Sequence, residues 1–167
     1  MAPSFGESGF EVSGSDLPSM YHAGSGEVEE VLEEKFLDGW YGWGFYMALD
    51  AEYVRRWYGP VVTRFSARPD AKVLIASVTP ALAHPDLVRK VSESVAERVG
   101  EDGAEEMVGI VLENPIQWVH AVDELAIQEY DIVAYSDEQV VAKAADAVVP
   151  EGQEPQAPVS PDLGPKG

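Results

Sequence analysis

Apolar residues recur along this chain with two different periods, and the switches between them outline its elements. Val28, Val31 and Leu32 fall three and four apart in an acidic stretch, which predicts a short helix over residues 26–35. Residues 43–48 (WGFYMA) read as a strand. Asp50 then stands where an N-cap belongs, and a helix is predicted over residues 51–58. Residues 61–66 and 72–78 alternate or run apolar as strands do, with Arg68, Pro69 and Asp70 as the turn between them. A helical block follows. Pro85 opens one helix, and Asp102 with Glu105 three residues later is expected to cap a second. Asn114-Pro115-Ile116-Gln117 reads as a capping box with proline at the first helical position. Residues 126–135 are then predicted as a strand, and a short strand or turn carries the chain to about Val140. Strands at both ends with helices between them predict an α+β domain rather than a repeating βαβ order.

The two ends depart from this pattern. Residues 1–16 are rich in Ser and Gly and read as a flexible lead-in. Residues 147–167 are crowded with Pro, Gly, Gln and Glu and carry little apolar surface, which predicts a disordered tail. The packed domain is therefore expected over residues 17–146. A chain of 167 residues is one domain by length. At that size it can bury on the order of two-thirds of its unfolded surface.

Composition narrows the chemistry. No apolar run approaches the roughly 20 residues of a membrane-spanning helix. The first ten residues have neither a basic nor an apolar region, so no signal peptide is expected. Cysteine is absent, which excludes disulfides and thiolate metal sites. No HExxH motif, plausible metal cluster, Walker loop or GxSxG elbow is present, so no metal is expected. Thirty acidic residues against eleven basic ones give a net charge of −19. Such a chain repels nucleic acid and anionic lipid at long range, and it has no clustered Lys/Arg to line a nucleic-acid groove.

Candidate chemistry sits in two blocks. In the first, His22 follows a short apolar stretch and precedes small residues (His22-Ala23-Gly24-Ser25). Tyr46 closes a Gly42-x-Gly44-x-Tyr46 run, and a helix rich in aromatics follows it, including Trp57 and Tyr58. In the second, Glu129 opens the predicted strand in Gln-Glu-Tyr-Asp-Ile-Val-Ala-Tyr. His84, before a proline at a helix start, and His120, on a face predicted to be exposed, suggest no chemistry.

In this order the residues resemble the histidine–tyrosine–glutamate class of ADP-ribosyltransferases, the group of the poly(ADP-ribose) polymerases and diphtheria-type toxins. Within it the chain is most similar to the ADP-ribosyltransferase domains of phage polyvalent proteins, which share a GWG-x-Y block. The resemblance implies two small, mostly antiparallel sheets with flanking helices and an NAD cleft between them. It implies NAD as substrate, transfer of one ADP-ribose unit to a macromolecule, and release of nicotinamide in the cytoplasm of a bacterium or phage-infected host cell.

The resemblance also implies residue roles. His22 would hydrogen-bond a ribose hydroxyl, and Ala23 or the displaced Gly24 would grip the nicotinamide amide through the backbone. Gly44 would permit close approach, and Tyr46 would pack on the nicotinamide ring. Either Trp57 or Tyr58 would cover the ring's other face. Glu129 would stabilise the oxocarbenium-like transition state and polarise the nucleophile. The residue two before Glu129 is Ile127, not Glu or Gln, which argues against the arginine–serine–glutamate class. The charge points to a protein acceptor. Two alternatives stay open: NAD hydrolysis by the same triad, and a catalytically silent acidic interaction module.

Overall fold

The computed structural model describes residues 9–23, 38–39 and 42–153. Among these the strands are β1 (Glu11–Ser13), β2 (Met20–Ala23), β3 (Asp38–Gly39), β4 (Gly42–Trp43), β5 (Phe45–Met47), β6 (Val62–Ala67), β7 (Lys72–Ile75), β8 (Ile132–Ser136), β9 (Gln139–Ala142) and β10 (Val148–Gln153). The helices are α1 (Ala51–Tyr58), α2 (Pro85–Val99), α3 (Ala104–Glu113) and α4 (Pro115–Glu129). One sheet has the order β1-β7-β8-β9-β5, a second β10-β6-β2, and β3 and β4 form a short ribbon. Every pairing is antiparallel except β7 with β8. That parallel pair needs a long crossover, and α2, α3 and α4 supply it. The class is α+β.

The five-stranded sheet is buried on both faces, and its side chains alternate between two cores as a strand period of two requires. Leu74, Val133 and Val141 face the helices, where they meet Leu87, Val91, Trp118 and Leu125. Val73, Ile132, Val140 and Ala142 face the other way, against Met20 and Phe65 of the smaller sheet. Burial on both faces is why these strands read as continuous apolar runs rather than clean alternations.

Several elements begin where the sequence placed them. The Asp50 side chain accepts the Glu52 N–H at the start of α1. Asn114 does the same for Ile116 and Gln117 at the start of α4. His84 Nδ1 accepts the Asp86 N–H at the start of α2.

Others differ. The cap of α3 is Gly103 in a left-handed conformation (φ 88°), not Asp102. The strand expected over residues 126–135 starts only at Ile132, because α4 continues to Glu129. Trp118, Val122, Leu125 and Ala126 are buried along one face of that helix, while Ile127, Gln128 and Glu129 turn outward. A helical period, not a strand period, governs that stretch.

The domain boundaries also move outward. Glu11–Ser13 pairs with β7, so the lead-in is part of the fold from about Phe10. Val148–Gln153 pairs with β6 along its length, so the tail assigned to residues 147–167 contributes an edge strand. Composition misled here because an edge strand needs backbone hydrogen bonds more than side-chain burial. Pro150 and Gly152 are accommodated where the register shifts. The helix predicted over residues 26–35 lies outside the described residues. No helix among the described residues is long and apolar enough to cross a membrane.

Candidate functional site

The two main sheets meet where β2 runs beside the end of β5. Tyr21 and Ala48 exchange backbone hydrogen bonds of 2.7 and 2.9 Å. Gly44, just before β5, has φ +148°, and an added Cβ would lie 2.4 Å from Val141 Cγ1 and 2.7 Å from the Ala142 carbonyl oxygen. Only glycine lets β5 close onto β9 at this point. The Gly44 of the GWG-x-Y block therefore acts by seating Tyr46 on the sheet, and it does not line the cleft that Tyr46 lines.

His22, on β2, stacks on Phe45 with ring centroids 4.0 Å apart. Its Nδ1 lies 2.6 Å from the Tyr46 carbonyl oxygen. A carbonyl can only accept, so Nδ1 carries the proton and Nε2 is the ring's acceptor. Burial lowers the pKa of His22 below its usual 6.5, against a smaller opposing contribution from that hydrogen bond. The imidazole is therefore neutral at pH 7, with its tautomer fixed by the backbone of the strand that carries Tyr46.

These residues open onto a cleft of about 410 Å³. Its walls are Tyr21, His22 and Ala23 from β2, Tyr46, Met47 and Ala48 from β5 and its end, Val54 and Tyr58 from α1, and Glu138 and Gln139. Volume, apolar walls and a few converging polar groups are those of a small-molecule site.

Glu138 sits on the two-residue turn between β8 and β9, which Ser136 and Gln139 close as a pair. Such tight hairpins usually need a residue with positive φ, and no non-glycine residue among those described has one. A register shift between Ala134 and Ser136 absorbs the mismatch instead and re-aims the turn. Two further bonds hold it: Glu138 N–H donates to Ser136 Oγ at 3.2 Å, and Leu49 N–H donates to the Asp137 carbonyl at 2.7 Å. Histidine, tyrosine and glutamate are thus tied by one run of hydrogen bonds: His22 to Tyr46, Tyr21 to Ala48, Leu49 to Asp137. Among the described residues, nothing pairs with the Glu138 carboxylate.

Glu129 is not part of this constellation. It ends α4 as an exposed residue, forms an ion pair with Lys90 at 3.2 Å, and does not line the cleft. The glutamate that lines the cleft with His22 and Tyr46 is Glu138, nine residues further on. The signal for it was present in the sequence: Ser136-Asp137-Glu138 is a polar break between two apolar runs, and Glu138 stands just before the second of them. Two residues before Glu138 stands Ser136, again neither Glu nor Gln.

The aromatic alternatives separate. Both residues are largely exposed and both pack on Tyr53, Tyr58 at 6.2 Å and Trp57 at 6.5 Å, but Tyr58 lines the cleft and Trp57 does not. Ala23 lines the cleft, and Gly24 lies outside the described residues. Of the arginines near this end, Arg55 pairs with Glu52 and Arg64 with Glu151 at 3.5 Å, while the exposed Arg56 has no ion pair among the described residues. Arg68, paired with Asp70, Asp131 and Asp146, sits past the far end of β6. No group of three or more potential metal ligands occurs among the described residues.

Compared with protein-family models, with curated proteins and with solved structures, the chain has no significant match.

Proposed function

We propose that the chain is an NAD-dependent mono-ADP-ribosyltransferase of the histidine–tyrosine–glutamate kind, with an ADP-ribosyltransferase-like fold and with Glu138 as its glutamate. The observation that carries this reading is a single cleft lined by a neutral acceptor histidine, three tyrosines and a carboxylate that nothing among the described residues pairs with, His22, Tyr46 and Glu138 standing in the chain order the resemblance implies.

The residues fit the substrate in kind. His22 Nε2 can accept a hydrogen bond from a ribose hydroxyl. The rings of Tyr46 and Tyr58 offer faces to a cationic pyridinium, an attraction of about 0.5–2 kcal/mol. In the reaction, the bond between the nicotinamide nitrogen and the anomeric carbon breaks, and its electron pair leaves on neutral nicotinamide. The acceptor's heteroatom then bonds to that carbon and gives up a proton. The Glu138 carboxylate stabilises the positive charge that develops on the ribose and orients the incoming nucleophile. A protein acceptor is favoured over nucleic acid by the net charge of −19 and by the pairing of Arg55 with Glu52 and of Arg64 with Glu151.

The test is to supply NAD labelled in its adenylate half, with and without bacterial lysate, and to follow nicotinamide release and label on protein. Label on protein with stoichiometric nicotinamide supports the transferase. Nicotinamide release with no label on any macromolecule would make the chain an NAD hydrolase, and no release under either condition would contradict both.

Two results are expected from the site itself. Tyr58→Ala should weaken NAD binding by about 0.5–2 kcal/mol, a few-fold to roughly thirtyfold. Trp57→Ala should leave both affinity and stability within about 0.5 kcal/mol, as at other exposed positions. Isothermal titration with NAD and denaturant unfolding check both, and the reverse pattern would move the stacking role to Trp57.

The second result concerns pH. Because the folded-state pKa of His22 is lowered, the unfolded chain takes up the proton first as pH falls below 6.5. Its contribution to stability is complete above pH 6.5 and is lost as pH falls through the lower folded-state value. Nε2 stops accepting over that same range, so the acid limb of NAD affinity should lie below pH 6.5 and vanish in His22→Ala. A limb centred above 6.5 would show that His22 is not buried as described.

A further inference from the structure

Among the described residues that line the cleft, Gln139 is the one with a side-chain amide, and the proposed reaction gives it no role. It is the first residue of β9, half-exposed, at the mouth of the cleft beside Glu138. Two residues on, Val141 pairs with Tyr46 across the β5–β9 ladder, and both pack against the same core. The strand period of two places Gln139 on the face that carries Tyr46. As a diagonal cross-strand neighbour it lies about 7–8 Å away between backbones, within reach of a long side chain. Among the described residues no hydrogen bond engages its amide.

Resting on the NAD reading above, we infer that Gln139 is a specificity-determining residue that reads the carboxamide of the nicotinamide ring. A ring packed on Tyr46 needs something to satisfy its amide. A primary amide carries two N–H donors and one acceptor oxygen, and it matches another primary amide donor to acceptor and acceptor to donor. A ring carboxylate offers acceptors only. It can meet the NH₂ of Gln139 but sets two oxygens against each other at the second contact. Gln139 therefore selects the nicotinamide dinucleotide over its nicotinate counterpart, and the nearby Glu138 carboxylate adds to that exclusion.

The experiment compares kcat/KM for NAD and for nicotinic acid adenine dinucleotide, by release of the free base, in wild type, Gln139→Ala and Gln139→Glu. Wild type should prefer NAD. Gln139→Ala should narrow the preference about tenfold, chiefly through a higher KM for NAD, with the nicotinate substrate nearly unaffected. Gln139→Glu keeps the shape but removes the donors. It should lose affinity for NAD and reject the nicotinate form more strongly than wild type does. A melting temperature within a few degrees of wild type certifies each variant. If wild type cleaves NAD and the preference ratio is the same in all three proteins, the role of Gln139 is overturned while the transferase reading stands. If wild type cleaves neither dinucleotide, the transferase reading fails and this inference with it.

Discussion

Glu138→Gln should lower the rate of nicotinamide release from NAD by about 10²–10³-fold, with little change in NAD affinity. The substitution keeps the side chain's size and its place on the β8–β9 turn, where the backbone N–H bonds Ser136 Oγ. It removes the negative charge available to the ribose as the glycosidic bond lengthens. Glu129→Gln is the matched control. Glu129 ends α4 and pairs with Lys90, so its loss weakens a surface contact worth at most about 1 kcal/mol and should leave turnover unchanged. The same assay decides both. Full activity in Glu138→Gln together with a large loss in Glu129→Gln would return the catalytic role to the residue the sequence pattern favoured.

Trp118→Ala should cost roughly 3–5 kcal/mol of stability, a large share of the 5–15 kcal/mol typical of such a domain. Trp118 is fully buried on α4, within the core between the helices and the five-stranded sheet. Its Nε1–H donates to the Ser77 carbonyl at 2.8 Å, so truncation also strips a buried acceptor of its partner. Denaturant unfolding should show a lower midpoint with an unchanged slope, since the surface exposed on unfolding is nearly the same. A loss under 1 kcal/mol would mean that the helical layer does not seat on the sheet through this residue.

What could be read in the sequence tracks how local the physics is. Helix α1 and its Asp50 cap were legible because a cap and a helical stripe are short-range signals. So was the role of Pro115 behind Asn114. Glu129 was misplaced because Ala126 and Ile127, followed by apolar residues from Ile132, look like one strand. In the fold, only Ala126 of that pair is buried and the chain turns at Tyr130 and Asp131. Nothing local distinguishes the end of a buried helix from the start of a strand over so few residues. Strand β10 was missed for a related reason: its Pro, Gly and Glu signal a loop, and its pairing with β6 is a contact between residues more than eighty positions apart. Of the residues that line the cleft, His22, Ala23, Tyr46 and Tyr58 stand out in the sequence. Glu138 does not, because its position depends on a bulge and on Leu49 bonding the Asp137 carbonyl, both set by tertiary structure. The choice of Tyr58 over Trp57 likewise needed the direction in which the last turn of α1 faces.

The most direct test of the central claim is a crystal structure of the chain with a non-hydrolysable NAD analogue. The account predicts the nicotinamide ring against Tyr46 and Tyr58, a ribose hydroxyl donating to His22 Nε2, and the Glu138 carboxylate within hydrogen-bond reach of the same ribose. An analogue bound elsewhere, such as the smaller cavity that α2, α3 and α4 form around His120 and Arg98, would contradict it. So would a cleft that stays empty at saturating analogue.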